Sequence, residues 1–553
     1  MRLSLLLFAL ILLCIPQSAD AQSVPIGDPF EEYLRILQHE ITEGNDHSYN
    51  IRPTSRSEFG TAKSTQHSSI INNQSHPWAR NSFFSNQSNQ RFQFYAPKTT
   101  ITYNTAFPAG QNDGAMWQGR GLNSGLSFGG SFTYGILEVA FRPEMGFAQN
   151  RDFPLYPITP VPEVSEYSLI GISNPRMDAP QRFGNSTHTW FDSGQSFIKL
   201  QYGGISAGVS TENMWVGPAM YNPLMMSNHA PGFFHAFLQT ERPIPTPIGN
   251  IEGKVFWGSP KESDYYFVEP REQDRFISGI TLNYSPSFIE GLHVGLFRGA
   301  MEYWPDDGFG INLLLLPVSG QNKDFAAAIE NTSNQMFSLF GRWKHSNSGF
   351  EAYFEWGRND NFRDGRDLSI ALEHSRAYVL GFMKPFKIDQ NRLLSVNFEM
   401  THLQTPRTVA FRSNGPFYEH SAIREGWTNR GQVLGAGIMM GSNNQKLMVK
   451  LYERWGMAGI SFNRIEHMND RLWFRRNAIV AFQDDDVDVE FRELQEVEFR
   501  PGFHALLFLP NNLEMQTAIY PSFFRNRNNL YQNNERNLNV QVTLRYQLPG
   551  FAR

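Results

Sequence analysis

Apolar and polar residues alternate along several stretches of this chain. In RNLNVQVTLRY, Leu538, Val540, Val542, Leu544 and Tyr546 fall on one face, and Asn537, Asn539, Gln541, Thr543 and Arg545 on the other. RFISGITLNYS sets Phe276, Ile280, Leu282 and Tyr284 against Gly279, Thr281 and Asn283. RLLSVNFEM sets Leu394, Val396, Phe398 and Met400 against Ser395, Asn397 and Glu399. GFEAYFEWG puts Phe350, Ala352, Phe354 and Trp356 opposite Glu351 and Glu355. A period of two predicts β-strands with one apolar and one polar face. A soluble sandwich or propeller would show the same alternation, so the period alone leaves the surrounding solvent open.

The connections narrow it. Tight turns are expected at Tyr134-Gly135, Gly203-Gly204, TPIGN (246–250), HSNSG (345–349), GSNN (441–444) and PNN (510–512). Long segments lie between the hairpins, at roughly 145–194, 212–234, 300–334, 358–375, 402–430 and 523–536. Short and long connections alternate in outer-membrane β-barrels, with short periplasmic turns and long extracellular loops. The reading is therefore an all-β chain forming a large transmembrane antiparallel barrel of about 18 strands, its termini periplasmic. The stretch 455–500 is the hardest to assign.

Composition agrees. Aromatic residues make up 14% of the chain, 46 of them Phe, yet no segment after the first residues is apolar for long enough to form a membrane helix. Residues 1–21 carry Arg2, an apolar run from Leu3 to Ile15 and the small-residue site Ala19-Asp20-Ala21, the order of a secretory signal peptide. The only cysteine, Cys14, lies inside it, so the exported chain has no disulfide, cysteine nucleophile or thiolate metal site. A net charge of −5, without a basic cluster, gives nucleic acid no strong field.

Candidate chemistry is sparse. Gly125-Leu126-Ser127-Phe128-Gly129 fits G-x-S-x-G, but it lies in a continuous alternating run in which Ser127 is one of several small inward residues. A nucleophile elbow needs a strand followed by a helix. HEITE (39–43) lacks the second zinc-binding His, with Glu43 in its place. DNFRDG (360–365) has Ala371 where a calcium loop requires Glu. Asp484, Asp485, Asp486 and Asp488 read as a solvated turn. His420-Ser421 could pair as base and nucleophile in a lipid hydrolase, without an evident third partner. No metal site, cofactor or enzyme emerges.

Before the strands, Asp28 can cap a helix that begins at Pro29, with Phe30, Tyr33, Leu34, Leu37 and Ile41 forming one apolar stripe. Residues 22–90 are expected to form a periplasmic helical segment and a linker rich in Ser, Asn, Gln and His. The barrel would occupy 91–553.

Distinctive runs stand along the chain, several in the long segments, and those with Trp117, Trp215 and Trp427 are expected in extracellular-side connections: HPW (76–78), NDGAMWQGRGLN (112–123), AQNRDF (148–153), ENMWVGPAMYNPLMMSNHAPGF (212–233), RPIPTPIGN (242–250), EWGRND (355–360), EHSRAY (373–378) and HSAIREGWTNRGQVLGAG (420–437). In these the chain resembles the Wzi-type capsule assembly proteins of Gram-negative outer membranes. The resemblance implies a barrel of about eighteen strands with a closed lumen and a periplasmic helical element. It also implies a non-catalytic, lectin-like role in holding capsular polysaccharide at the cell surface. The implied partners are that polysaccharide, outer-membrane lipid and the capsule-export machinery, with the protein acting as a monomer. Sugars offer an apolar face to aromatic rings and hydroxyls to polar side chains. On that chemistry the candidate binding residues are Trp117, Gln118, Arg120, Asn213, Trp215, Asn228, His229, His420, Arg424, Trp427 and Arg430. The alternatives are a diffusion porin and, further off, a hydrolase using Ser421.

Overall fold

In the computed structural model the described residues are 23–39, 47–55, 78, 91–156, 177–266, 274–304, 310, 313–316, 333–345, 348–359, 369–406, 408, 415–472 and 491–546. The signal segment, most of the 45–90 linker, residues 40–43 of HEITE, all of DNFRDG and the Asp484–Asp488 run lie outside them.

The alternating stretches are strands of one closed antiparallel barrel, with 18 strands among the described residues. In chain order these are β1 (Phe92–Asn104), β2 (Gly121–Tyr134), β3 (Leu137–Phe141 with Glu144–Ala148), β4 (His188–Asp192 with Phe197–Tyr202) and β5 (Ile205–Ser210). Next come β6 (His235–Thr240 with Ile244–Thr246), β7 (Gly249–Gly258), β8 (Arg275–Pro286), β9 (Leu292–Tyr303), β10 (Ser333–His345) and β11 (Phe350–Asn359). The last are β12 (Arg376–Lys387), β13 (Leu393–His402), β14 (Asn443–Glu453), β15 (Gly456–Glu466), β16 (Val497–Leu509), β17 (Leu513–Arg525) and β18 (Glu535–Tyr546). Strand β18 pairs with β1 and closes the sheet, so no edge is left unpaired. Ser127 sits inside β2 and faces the lumen, as its alternation requires.

Burial is inverted relative to a soluble protein. Glu351, Glu355, Asn397 and Glu399 point inward and are buried, whereas their apolar neighbours Phe354, Phe382 and Leu380 are exposed on the outer face. An apolar belt of this extent belongs in hydrocarbon rather than water. Tyr134, Tyr202, Phe288, Trp343, Phe386, Trp455 and Tyr546 ring the end that carries the short turns, an aromatic girdle at one interface.

All short connections gather at this turn end and all long ones at the opposite, loop end. One expected turn is corrected. GSNN ends a long loop, because Ser442, Asn443 and Asn444 are committed to hydrogen bonds inside the barrel; the turn is Arg454-Trp455, between β14 and β15. The connections that join β1 to β2, β7 to β8 and β15 to β16 also start and end at the loop end; the first, which carries Trp117, was expected there and the other two were not.

The lumen is filled from both ends. At the turn end α1 (Pro29–Leu37) is capped by Asp28, whose Oδ1 accepts from the Phe30 N–H at 3.0 Å, and Pro29 opens its first turn. It buries Tyr33, Leu34, Ile36 and Leu37. Tyr33 stacks on Trp78 at 4.2 Å, and the Trp78 indole donates to the Gly456 carbonyl at 3.0 Å. Charged residues of α1 meet inward charges of the wall. Arg35 pairs with Glu351 at 2.5 Å, Asp28 with Arg545 at 2.6 Å, and Glu32 with Lys450. From the loop end, residues 214–233 and 417–440 fold inward and pack on Phe237, Phe256, Phe297, Met336 and Phe340 of β6–β10. The two fillings meet where Ile51-Arg52 pairs with Trp215-Val216. Among the described residues no helix is long and apolar enough to cross a membrane.

Candidate functional site

The inward fold of the loops sorts the candidate residues. Trp427 is fully buried, its Nε1 donating to the Met225 carbonyl at 2.9 Å. Trp215 is buried, donates to the Ala219 carbonyl at 3.0 Å and lies under the Arg52 guanidinium at 4.6 Å. Asn213 bridges Gln195 and the Ala230 carbonyl, each at 2.8 Å. Asn228 donates to the Asn112 carbonyl at 2.9 Å. His420 accepts from the Ala422 and Ile423 N–H groups through Nδ1 at 3.2 and 3.0 Å. The Arg424 N–H donates to the Tyr303 hydroxyl at 3.3 Å. Arg120 holds the outer side of its loop to the Thr105 and Asp152 carbonyls. The contacts of these seven hold the loops in shape, and none of the seven lines the cleft described next.

Trp117 and Arg430 are different. They line a cleft of about 440 Å³ at the loop end, within the range of small-molecule sites. Its aromatic wall is Trp117, Phe183, His188 and Tyr265. The Trp117 and Phe183 rings are 4.7 Å apart, Phe183 and Tyr265 5.3 Å, and His188 Nδ1 lies 3.3 Å from the Tyr265 hydroxyl. Across from it, Arg430 pairs with Asp192 at 2.6 Å; the arginine side chain is 48% exposed and the carboxylate only 5%, so the guanidinium's free edge faces the cleft. Trp117 and Phe183 form a ridge, because both also line a neighbouring cavity of about 170 Å³ with Gln118, Asp113 and His229.

Each wall is held from beneath. The amide of Asn150, in AQNRDF, donates to the carbonyls of Phe183 (2.8 Å), Gly184 (3.0 Å) and Ser186 (2.7 Å), which fixes the turn presenting Phe183. Asn429 accepts from the Lys261 N–H at 2.8 Å, and the Arg430 N–H donates to the Lys261 carbonyl at 2.8 Å. Gly431 has φ +80°, and a Cβ there would meet Phe183, Pro180 and Ser263 at 3.1 Å, so the two loops touch only because it is glycine.

In the smaller cavity, burial pushes the Asp113 carboxyl up to about 7, against a 2.8 Å hydrogen bond from Gln118. Burial also pulls the His229 imidazole down to about 4. Among the described residues no group of His, Cys, Asp and Glu is arranged to hold a metal. Phe183, His188, Asp192, Lys261 and Tyr265 were not among the sequence candidates. Tyr265 and Phe183 stand in stretches without a distinctive motif, and only the fold brings them to Trp117.

A sequence model of the capsule assembly protein Wzi family matches residues 99–455. The chain belongs to that family. Among solved structures it is similar to Wzi of Escherichia coli, described as a carbohydrate-binding outer-membrane β-barrel involved in group 1 capsule assembly. The TM-score is 0.58 and the identity 12%, over 96% of this chain and 100% of that one. OprB of Pseudomonas putida (TM-score 0.36, 12% identity, 85% and 98% covered) and OccK7 of Pseudomonas aeruginosa (0.38, 8%, 83% and 98%) match more weakly. No curated protein matches the chain. Family and lipid-facing belt together make this an outer-membrane β-barrel.

Proposed function

We propose that this protein binds capsular or surface polysaccharide in the loop-end cleft and helps hold it at the cell surface, without catalysis or cofactor. The observation that carries the reading is the half-exposed Trp117, backed by the buried Phe183, between two cavities and faced by Arg430 and Asp192. Aromatic rings give a pyranose its apolar platform, and the charged pair gives its hydroxyls a donor and an acceptor. Family membership and the carbohydrate binding of the Escherichia coli protein support it. In this reading residues 1–21 are removed on export, 22–90 and the short turns are periplasmic, and the long loops face outward. The barrel of residues 91–553 works as a monomer, beside capsule-export machinery. His420 spends Nδ1 on backbone N–H groups, which weighs against a His420–Ser421 hydrolase. The filled lumen weighs against a diffusion porin.

The test is gene deletion, with polysaccharide assayed separately on washed cells and in the medium. The expected result is a shift of polymer from surface to medium at constant total synthesis. Unchanged surface polysaccharide would overturn the proposal.

A further inference from the structure

The plug fills the lumen unevenly. Its apolar core packs on β6–β12, whereas β14–β18 present Lys446, Asn463, Arg500, Tyr520 and Gln541 to a cavity of about 90 Å³. The tips of two inward loops, at Asn112 and Tyr221, close its other side. Strand register sets Lys446 opposite Asn463 and Asn463 opposite Arg500, so both cations stand in one row across three strands. Two strand spacings, about 10 Å, separate their backbones, near enough for both long side chains to converge. The Lys446 ammonium lies 3.9 Å from the Tyr221 ring centre, and the Arg500 guanidinium 4.4 Å from that of Tyr520.

Neither cation pairs with a carboxylate among the described residues. Arg500 donates one Nη2 bond, to the Ala109 carbonyl at 3.1 Å, and its buried Nε has no partner. The surrounding carboxylates are occupied. Glu399 accepts from the Met220, Tyr221 and Asn222 N–H groups, Glu32 takes Lys450 and Tyr452, and Asp113 takes Gln118. Two cations confined in one cavity, neither directly paired with a carboxylate, repel each other, and the cavity has room for several waters or one small anion.

We propose that this cavity binds a small oxyanion between Lys446 and Arg500, either an inorganic sulfate or phosphate or the carboxylate of an acidic sugar. The bound anion ties the Asn112 and Tyr221 loop tips to the barrel wall. Because Asn112 and Trp117 share one loop, the anion also steadies the ridge of the proposed glycan cleft. The site itself does not depend on that cleft's function.

The test is thermal unfolding of the purified full-length barrel in neutral detergent, titrated with sodium sulfate against sodium chloride at matched ionic strength. Sulfate's general stabilising effect rises without saturation and is shared by all variants, so the diagnostic part is saturable and sensitive to substitution. The expected result is a saturable rise in unfolding temperature whose midpoint weakens at least tenfold in Lys446→Gln and in Arg500→Gln. Should Arg500→Gln fail to fold, Lys446→Met, which keeps the apolar stem over Tyr221, decides alone. Galacturonate serves as the second ligand: a matching rise assigns the site to a sugar carboxylate, and its absence beside a sulfate response assigns it to an inorganic ion. No saturable response to either anion, or variants that respond as the wild type does, would overturn the proposal.

Discussion

The plug at the turn end hangs on one carboxylate. Glu351 is fully buried on the barrel wall and accepts from Arg35 of α1 at 2.5 and 2.9 Å, from Arg342 at 2.6 Å and from His39 at 3.2 Å. Replacing it with glutamine keeps the shape and removes the charge. Two guanidinium groups then face a neutral amide in a fully buried site. Breaking a buried ion pair on one side costs about 3–5 kcal/mol, because the remaining charge loses its partner but not its desolvation. The helix still has the Asp28–Arg545 and Glu32–Lys450 pairs, and four buried apolar side chains worth about 1.5–3 kcal/mol each as an upper bound. Glu351→Gln should therefore leave α1 docked on average while raising its undocked population by two to three orders of magnitude.

Two measurements read this. Hydrogen exchange of the 30–37 amides should accelerate by about that factor. Limited proteolysis of the purified variant should also cleave within α1 faster than in the wild type, because the undocked helix is open to the protease. Arg35→Gln added to Glu351→Gln should restore part of the loss, since only Arg342 then lacks a counter-charge. If the amides exchange at wild-type rates and α1 is cleaved no faster, the helix is not held by this cluster and the reasoning fails.

Three further outcomes are expected. Trp117→Ala should weaken binding of the purified barrel to isolated capsular polysaccharide by roughly tenfold or more, about the effect of losing one aromatic face, with the unfolding temperature nearly unchanged. Trp427→Ala should do the reverse, losing about 3–5 kcal/mol of stability to a buried cavity, measured by denaturation. Docking of the 105–120 loop, followed by its hydrogen exchange, should be nearly independent of pH between about 4 and 6.5, because Asp113 and His229 push it in opposite directions there. The Asp113 carboxyl stands above its ordinary 3.8, so its contribution is complete below that value and is lost as pH rises through about 7. The His229 imidazole stands below its ordinary 6.5, so its contribution is complete above that value and is lost as pH falls through about 4. Asp113→Asn should leave docking that strengthens as pH rises from about 4 to 6.5, and His229→Gln docking that weakens as pH rises from 3.8 to about 7; a wild-type profile in either variant would refute that assignment.

The barrel was legible in the sequence because lipid and lumen impose opposite demands on alternate residues. Leu538, Val540, Val542 and Leu544 cannot face the lumen polar residues that Asn537, Asn539 and Gln541 meet, and no packing detail can reverse that. Turn residues were less reliable. GSNN has the composition of a turn, yet its side chains serve the lumen, while the real turn at Arg454-Trp455 has only Gly456 beside it as a signal. The site was legible only in part, for a physical reason. Trp117, Trp215 and Trp427 all stand in long loops among similar polar neighbours, and each is suited to a sugar. What separates them is how deep in its folded loop each ring sits: Trp215 and Trp427 are buried and Trp117 is half-exposed. That depends on partners far away in sequence: Met225 for Trp427, Arg52 for Trp215, and the Asn150 clamp that places Phe183 beside Trp117. A loop of this barrel therefore has two uses for an indole. In the proposed reading, the one whose ring edge is hydrogen-bonded inside the plug holds the fold, and the half-exposed one between two cavities meets the glycan.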